Sequence, residues 1–185
     1  MIPTTVSIAD RMYRMSPYQV RAWKSDDLEG LYQLIRASVP ELSAWLPWCH
    51  ANYAIQDTAD WLNHCQRVWQ SNIEYPMGVF DANTGVPVGG VGINKIDPAT
   101  RTANLGYWTG TPWVNRGIAK YAAMEAIDFA FGKLRLETIE IVVHPENVAS
   151  RRVAEAIGAS FQGTSKARLM FRGNLVDGAF YKICK

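Results

Sequence analysis

The strongest constraint on the fold is a change of hydrophobic period near residue 110. Before it, three segments with strand character follow one another: YPMGVFDA, VPVGGVGINKI and TANLGYWTG. Asn83-Thr84-Gly85 separates the first two, and Asp97-Pro98 with Thr100 separates the second and third. Such turn residues between short apolar runs predict an antiparallel meander. Beyond residue 110 the pattern becomes a helix over IAKYAAMEAIDFAFGK, with Tyr121, Met124, Ile127 and Phe131 at three-to-four spacing. A strand TIEIVVH follows, then a helix ASRRVAEAIG that Gly158 ends, and two strands meeting at Arg172-Gly173-Asn174. A meander feeding strand, helix, strand, helix and strands predicts an α/β (α+β) chain with one mixed sheet and helices on both faces.

Upstream, YQVRAW reads as a strand, and Ser25-Asp26-Asp27 offers N-cap chemistry for a helix over LEGLYQLIRAS that Pro40 is expected to close. ELSAWLPWCHANYA reads as a bent helix-loop with aromatic faces. Asp57 or Thr58 is expected to cap TADWLNHCQRVWQSN, in which Trp61 and Trp69 read as packing residues of a helical stripe. No repeat or Pro/Gly-rich linker divides the chain, so residues 1–17 are expected to be an N-terminal extension and 18–185 a single domain. At 185 residues the chain is long enough to bury one proper core.

A net charge of +2, from 19 Lys+Arg against 17 Asp+Glu, carries no basic field for nucleic acid. No apolar run has the length of a membrane span. Three cysteines, Cys49, Cys65 and Cys184, lack the spacing of a zinc site or a disulfide framework, so no metal is expected. These features point to the cytoplasm.

The segment WVNRGIAKYA, residues 113–122, joins a strand to a helix through one glycine. A helix opening there leaves N–H groups without intrahelical partners at the positive end of the helix, where phosphate groups are held. Gly117 admits a close ligand, Ala119 keeps the first turn clear, and Arg116 adds a charge. The second element is HPENVASRR, where Asn147 and Ser150 open the next helix. If the strands before the two helices splay apart, both sets of groups line one gap.

These residues resemble the GNAT superfamily of acetyl-CoA-dependent N-acetyltransferases. VNRGIAKYAAMEAIDFAF is similar to its motif Gln/Arg-x-x-Gly-x-Gly/Ala, with Val114, Gly117 and Ala119 in the three defined positions. HPENVASRRVAEAIGASFQG is similar to its Asn-x-x-Ser motif. LGYWTG and the early LSAWLPW resemble the ribosomal-protein N-acetyltransferase (RimJ/RimL-like) branch, and the resemblance runs from Tyr18 onward. It implies a single GNAT domain with about seven strands, mostly antiparallel and splayed in the middle.

It also implies a site. Acetyl-CoA would lie between NLGYWTG and TIEIVVH, with backbone contacts near Trp108 and Thr109 and its pyrophosphate on Val114, Asn115, Arg116, Gly117, Ile118 and Ala119. Ser150 would protonate the leaving thiolate, Asn147 would orient the ligand, and Trp45 and Trp48 would wall the acceptor pocket. Val114 replaces the usual Gln/Arg, and Asn104 stands where relatives of this branch often carry glutamate. The general base is then open among Glu41, Glu74, Asp97 and His144. The implied reaction is acetyl transfer to a primary amine, the N-terminal α-amine of a protein or peptide. The alternatives are a small-molecule amine (an amino acid, a polyamine or an aminoglycoside), or a CoA-binding protein with little catalysis. A cationic acceptor would ask for acidic residues such as Glu41, Asp57 and Asp60. A homodimer through the late strands is compatible with this branch.

Overall fold

The computed structural model describes residues 16–185; the expected N-terminal extension lies almost wholly outside them. Seven strands form one sheet: β1 (Tyr18–Ala22), β2 (Tyr75–Asp81), β3 (Pro87–Asp97), β4 (Thr102–Thr109), β5 (Thr138–Val143), β6 (Ser160–Phe171) and β7 (Asn174–Cys184). Their spatial order is β1-β2-β3-β4-β5-β7-β6. Every neighbouring pair is antiparallel except β4 and β5. That parallel pair needs a crossover, which the expected helix provides. The helices are α1 (Leu28–Arg36), α2 (Val39–Leu42), α3 (Ile55–Gln70), α4 (Ile118–Gly132) and α5 (Val148–Ala156).

The mixed sheet expected from the order of periods is present, with two separate cores. On one face α4 packs on β3 and β4, burying Ile118, Ala122, Ala123, Ala126, Ile127 and Ala130 against Val91, Ile93, Ala103 and Leu105. On the other face α1 and α3 enclose Trp23, Leu31, Ile35, Leu62, Cys65 and Phe80. Of the spaced large residues in α4, Ile127 is buried, whereas Met124 is exposed and Tyr121 and Phe131 are half-buried. The alanines face the sheet because small side chains let a helix axis approach it closely.

Local corrections concern where helices begin and end. Pro40 does not close α1, which stops at Arg36; it sits in the first turn of α2, where its missing N–H costs nothing. Ser25 is not a cap. The carboxylate of Asp27 accepts the Lys24 N–H at 2.8 Å and pairs with the two terminal guanidinium nitrogens of Arg21 at 2.7 Å. Helix α3 starts before Asp57, whose carboxylate reaches back to the Ala54 N–H at 2.7 Å.

Burial raises the Asp27 carboxyl, but the Arg21 hydrogen bonds, the Lys24 N–H and the charges of both residues outweigh it, so the net shift is down from 3.8. A carboxylate depressed in the folded state contributes stability that is present above its unfolded value and lost as pH falls through the folded one. We therefore expect the wild type to lose stability as pH falls below about 4. In Asp27→Asn that part of the pH dependence should be missing, as urea midpoints from pH 5 to pH 2 would show.

Candidate active site at the splayed strands

Strands β4 and β5 pair only over Thr102–Thr138, Ala103–Ile139 and Asn104–Glu140. Beyond that point β4 stays with β3 as far as Thr109–Gly89, and β5 stays with β7 as far as Val143–Ala179. The sheet is therefore split in the middle, with the edge of Leu105–Thr109 facing the edge of Ile141–Val143 across a gap. Tyr107 spans this divergence. Its hydroxyl donates to the Ser150 carbonyl at 2.8 Å and lies 3.4 Å from Ser150 Oγ, tying β4 to the helix that follows β5. Burial, the largest influence, pushes the Tyr107 phenol up to about 12, so it stays protonated.

At the open end of the gap, Gly117 adopts φ +74 and Asn115 φ +61, turning the chain sharply into α4. A Cβ at Gly117 would meet nothing within 4 Å, so positive φ, not crowding, is what requires glycine there. Among the described residues, no N–H from Asn115 to Lys120 donates to a protein acceptor. Val114 is 48% exposed beside them. Arg116 lies over the Trp113 ring at 4.8 Å and reaches the Pro112 carbonyl at 3.4 Å. The loop is fixed from behind: buried Ser38 donates to the Leu34 carbonyl at 2.7 Å and accepts the Thr111 N–H at 2.9 Å. Thr109 Oγ1 is the one buried side-chain polar atom without a partner among the described residues. A buried hydroxyl at the gap and a row of open N–H groups beyond it fit a ligand with hydrogen-bonding groups at one end and phosphates at the other.

Asn147 is the N-cap of α5, and its Oδ1 accepts the Ser150 N–H at 3.0 Å. That oxygen is occupied, while the Nδ2 group makes no protein hydrogen bond among the described residues. Ser150, Asn147 and Tyr107 are thus brought together on one side of the split. Tyr107 was missed in the sequence, where it reads only as an aromatic strand residue.

On the opposite face lies a cavity of about 530 Å³. Its floor is β3 and β4 from Gly90 to Asn94 and from Gly106 to Trp108, and its walls include Trp23, Trp48, Tyr53 and Trp61. Trp48 stands edge-on to Trp108, with ring centroids 5.8 Å apart. Trp45 does not line this cavity; it packs against His144 and Phe171, at 5.5 and 6.5 Å, where the β6–β7 hairpin meets the end of β5. Trp69 is a packing residue as expected, its indole N–H bonded to the Pro76 carbonyl at 2.7 Å. Trp61 is not: it is 41% exposed, stacks on His64 and faces the cavity. Asp57, Asp60, His64 and Glu74 complete the lining.

The residues considered as a base fall into different places. Asp97 is a turn residue bonded to Ala99 and Thr100. Glu41 accepts the Thr111 hydroxyl at 2.8 Å. His144 accepts the Glu146 N–H on Nδ1 at 3.3 Å and is packed by Trp45 and Phe171. Asn104 donates to Asn94 Oδ1 at 3.0 Å. Glu74 alone of the four opens on the cavity, 3.8 Å from His64.

Residues 19–160 match the family profile described as "Acetyltransferase (GNAT) domain". The chain belongs to the GNAT acetyltransferase family. It is accordingly an acyl-transferring enzyme, and its curated relatives carry N-acetyltransferase names. YdaF of Bacillus subtilis (strain 168), provisionally named a ribosomal N-acetyltransferase, is 28% identical over 171 residues, 90% of each chain. A Vibrio cholerae structure, provisionally a ribosomal-protein-serine acetyltransferase, is 29% identical with a TM-score of 0.80, covering 92% of this chain and 95% of that one. RimL, a ribosomal L7/L12 alpha-N-protein acetyltransferase solved with coenzyme A, shares the fold at TM-score 0.80 and 20% identity, over 91% and 94% of the two chains. Among the described residues no helix is long and apolar enough to cross a membrane.

Replacing Tyr107 by Phe removes the hydroxyl that bridges the GNAT gap and leaves the Ser150 carbonyl without that donor. We expect a loss of about 1–3 kcal/mol in urea unfolding. A change below the error of the measurement would show that Tyr107 does not brace the two halves of the sheet.

Proposed function

We propose that the protein transfers acetyl from acetyl-CoA to a primary amine that enters the aromatic cavity as an ammonium ion, and that this amine is the N-terminal α-amine of a protein or peptide. One observation carries the proposal. The cavity, with carboxylates in an aromatic wall, meets the split sheet at Gly106–Trp108, whose far end opens onto free helix-terminal N–H groups. A cationic acceptor is favoured by Asp57, Asp60 and Glu74 and by the ring faces around it. The names of YdaF, RimL and the Vibrio cholerae protein support a protein amine as acceptor.

The residues divide the work by position. The N–H groups from Asn115 to Ala119, with Arg116, hold the pyrophosphate, and Val114 contributes its backbone only. The free edges of Trp108 and Thr109 pair with the pantetheine amides, and the Thr109 hydroxyl gains the partner it lacks. Asn147 steadies the ligand through Nδ2. A β4 amide is aimed at the thioester oxygen and favours charge developing there. Ser150, backed by the protonated Tyr107, supplies the proton that the leaving sulfur needs. Trp48 walls the acceptor, whereas Trp45 stands outside the cavity, against His144 and Phe171. Most of the rate enhancement is then positional.

A second reading, a small cationic amine, is favoured by the number of carboxylates in one cavity. The test has two stages. Calorimetric titration with acetyl-CoA and with desulfo-CoA is expected to show micromolar binding, and Gly117→Glu should abolish it by adding a negative charge at the phosphate end. Unchanged binding in that variant removes the phosphates from this loop. An acceptor panel of peptides, free amino acids, diamines and aminoglycosides then decides the amine. Turnover of peptides alone supports the first reading, and turnover of diamines alone replaces it with the second.

A further inference from the structure

Amine acetylation at neutral pH needs a proton acceptor, because an ammonium ion has no lone pair with which to attack. The strand position where an acid is expected holds Asn104, and an amide cannot do this work. Glu140 lies directly opposite Asn104 at the apex of the split, yet its two oxygens are held by Arg168 and by Lys182, the latter at 3.4 Å. Glu140 lines a small separate hollow with Arg168 and does not open on the aromatic cavity. Arg168 is aimed at Glu140 by the irregularity between Ser165 and Leu169 in β6, where the Ala167 N–H is bonded to Asp177 at 3.1 Å.

A polar row crosses the sheet at this level. Tyr75 pairs with Ile93 at the end of the β2–β3 ladder, and just beyond it Glu74 and Asn94 both line the cavity; Asn94 pairs with Asn104, and Asn104 with Glu140. The row begins in the cavity and ends at the apex. At its cavity end His64 Nε2 lies 3.8 Å from Glu74 Oε2, and the imidazole is stacked on Trp61 with ring centroids 5.3 Å apart. The other two cavity carboxylates are already engaged: Asp57 by the Ala54 N–H, and Asp60 by Gln56 at 2.9 Å.

Resting on the acetyl-transfer reading above, we propose that His64, paired with Glu74, is the proton acceptor for the incoming amine, through water in the cavity. The imidazole takes one proton from the ammonium ion, and the nearby carboxylate offsets the charge it gains. The freed lone pair forms the bond from nitrogen to the acetyl carbon while the bond from carbon to sulfur breaks, its electrons remaining on sulfur. The sulfur takes a proton from the Ser150 hydroxyl. The second proton shed by the acetylated nitrogen restores that hydroxyl through water, and His64 returns its own proton to solvent.

The charged and titratable groups around the pair come from α3 and the segment before it. They are Asp57 and Asp60, the buried Cys65 whose thiol burial pushes up to about 12, Tyr53 whose phenol burial also pushes up, and His50, which lies 3.9 Å from Asp57. The β1 and α1 side of the cavity presents Trp23, Leu31 and Ile35, and β3 presents Asn94.

The experiment compares His64→Gln and Glu74→Gln with wild type on two peptides of one sequence. One bears an ordinary N-terminal amine; the other bears an aminooxy group, which is unprotonated at neutral pH and needs no base. With the amine peptide, kcat/KM at pH 7 should fall by about 100-fold or more in His64→Gln. The deficit should narrow as pH rises toward the pKa of the amine. With the aminooxy peptide the change in His64→Gln should stay within about threefold, since base catalysis alone is lost there. Desulfo-CoA affinity serves as the check on folding and should be unchanged. An equal loss with both peptides assigns the pair a structural role and overturns the inference, as does no loss with either. Wild-type protein that acetylates neither peptide nor any amine of the panel overturns the transfer reading itself.

Discussion

Everything in this molecule turns on the place where two parallel strands stop pairing. Three ladder positions hold β4 to β5, and after Asn104 and Glu140 each strand follows its antiparallel neighbour instead. Antiparallel pairs are the slightly stronger ladder, so each half of the sheet keeps its own twist and the seam between them opens. Open strand edges are costly when buried without partners. The seam persists because one rim is the start of α4, the other leads into α5, and Tyr107 bridges them through the Ser150 carbonyl.

The two faces of the split have different chemistry, and the reason lies in side-chain alternation along β4. Ala103 and Leu105 go to the α4 core, and Tyr107 reaches α5. Asn104 and Trp108 point to the face covered by α1 and α3, where the aromatic cavity lies. Two ligands can thus meet at one strand from opposite sides, which is what transfer between a bound donor and a separate acceptor requires. Glycines at β3 make this close geometry feasible. A Cβ at Gly89 would come within 2.5 Å of the Trp108 carbonyl oxygen, and one at Gly90 within 2.6 Å of the Trp108 indole nitrogen.

Much of this was legible in the sequence. The meander, the crossover helix and the two closing strands are local patterns, and they appear where the periods change. The turn at Gly117 and the cap at Asn147 are also local, because both depend on a few consecutive dihedrals and one short hydrogen bond. The misreadings involve contacts between distant segments. Pro40 looked like a stop because nothing in the sequence shows that Ser38 anchors Thr111 and lets a new helical turn begin there. Trp61 fits a helical stripe as well as Leu62 does, yet Leu62 is buried while Trp61 turns to the cavity with His64.

The sequence by itself determined the order of elements, the family motifs and the sharp turn at Gly117 that opens α4, since each is encoded within a few adjacent residues. Only the tertiary structure decided which carboxylates and rings share a cavity. Glu74 and Asn94 share the cavity just beyond the end of the β2–β3 ladder, and His64 reaches Glu74 because α3 lies across β2. Register and helix placement are set by packing across the whole sheet. A one-residue slip of a strand would send its side chains, Asn94 or Asn104 among them, to the other face.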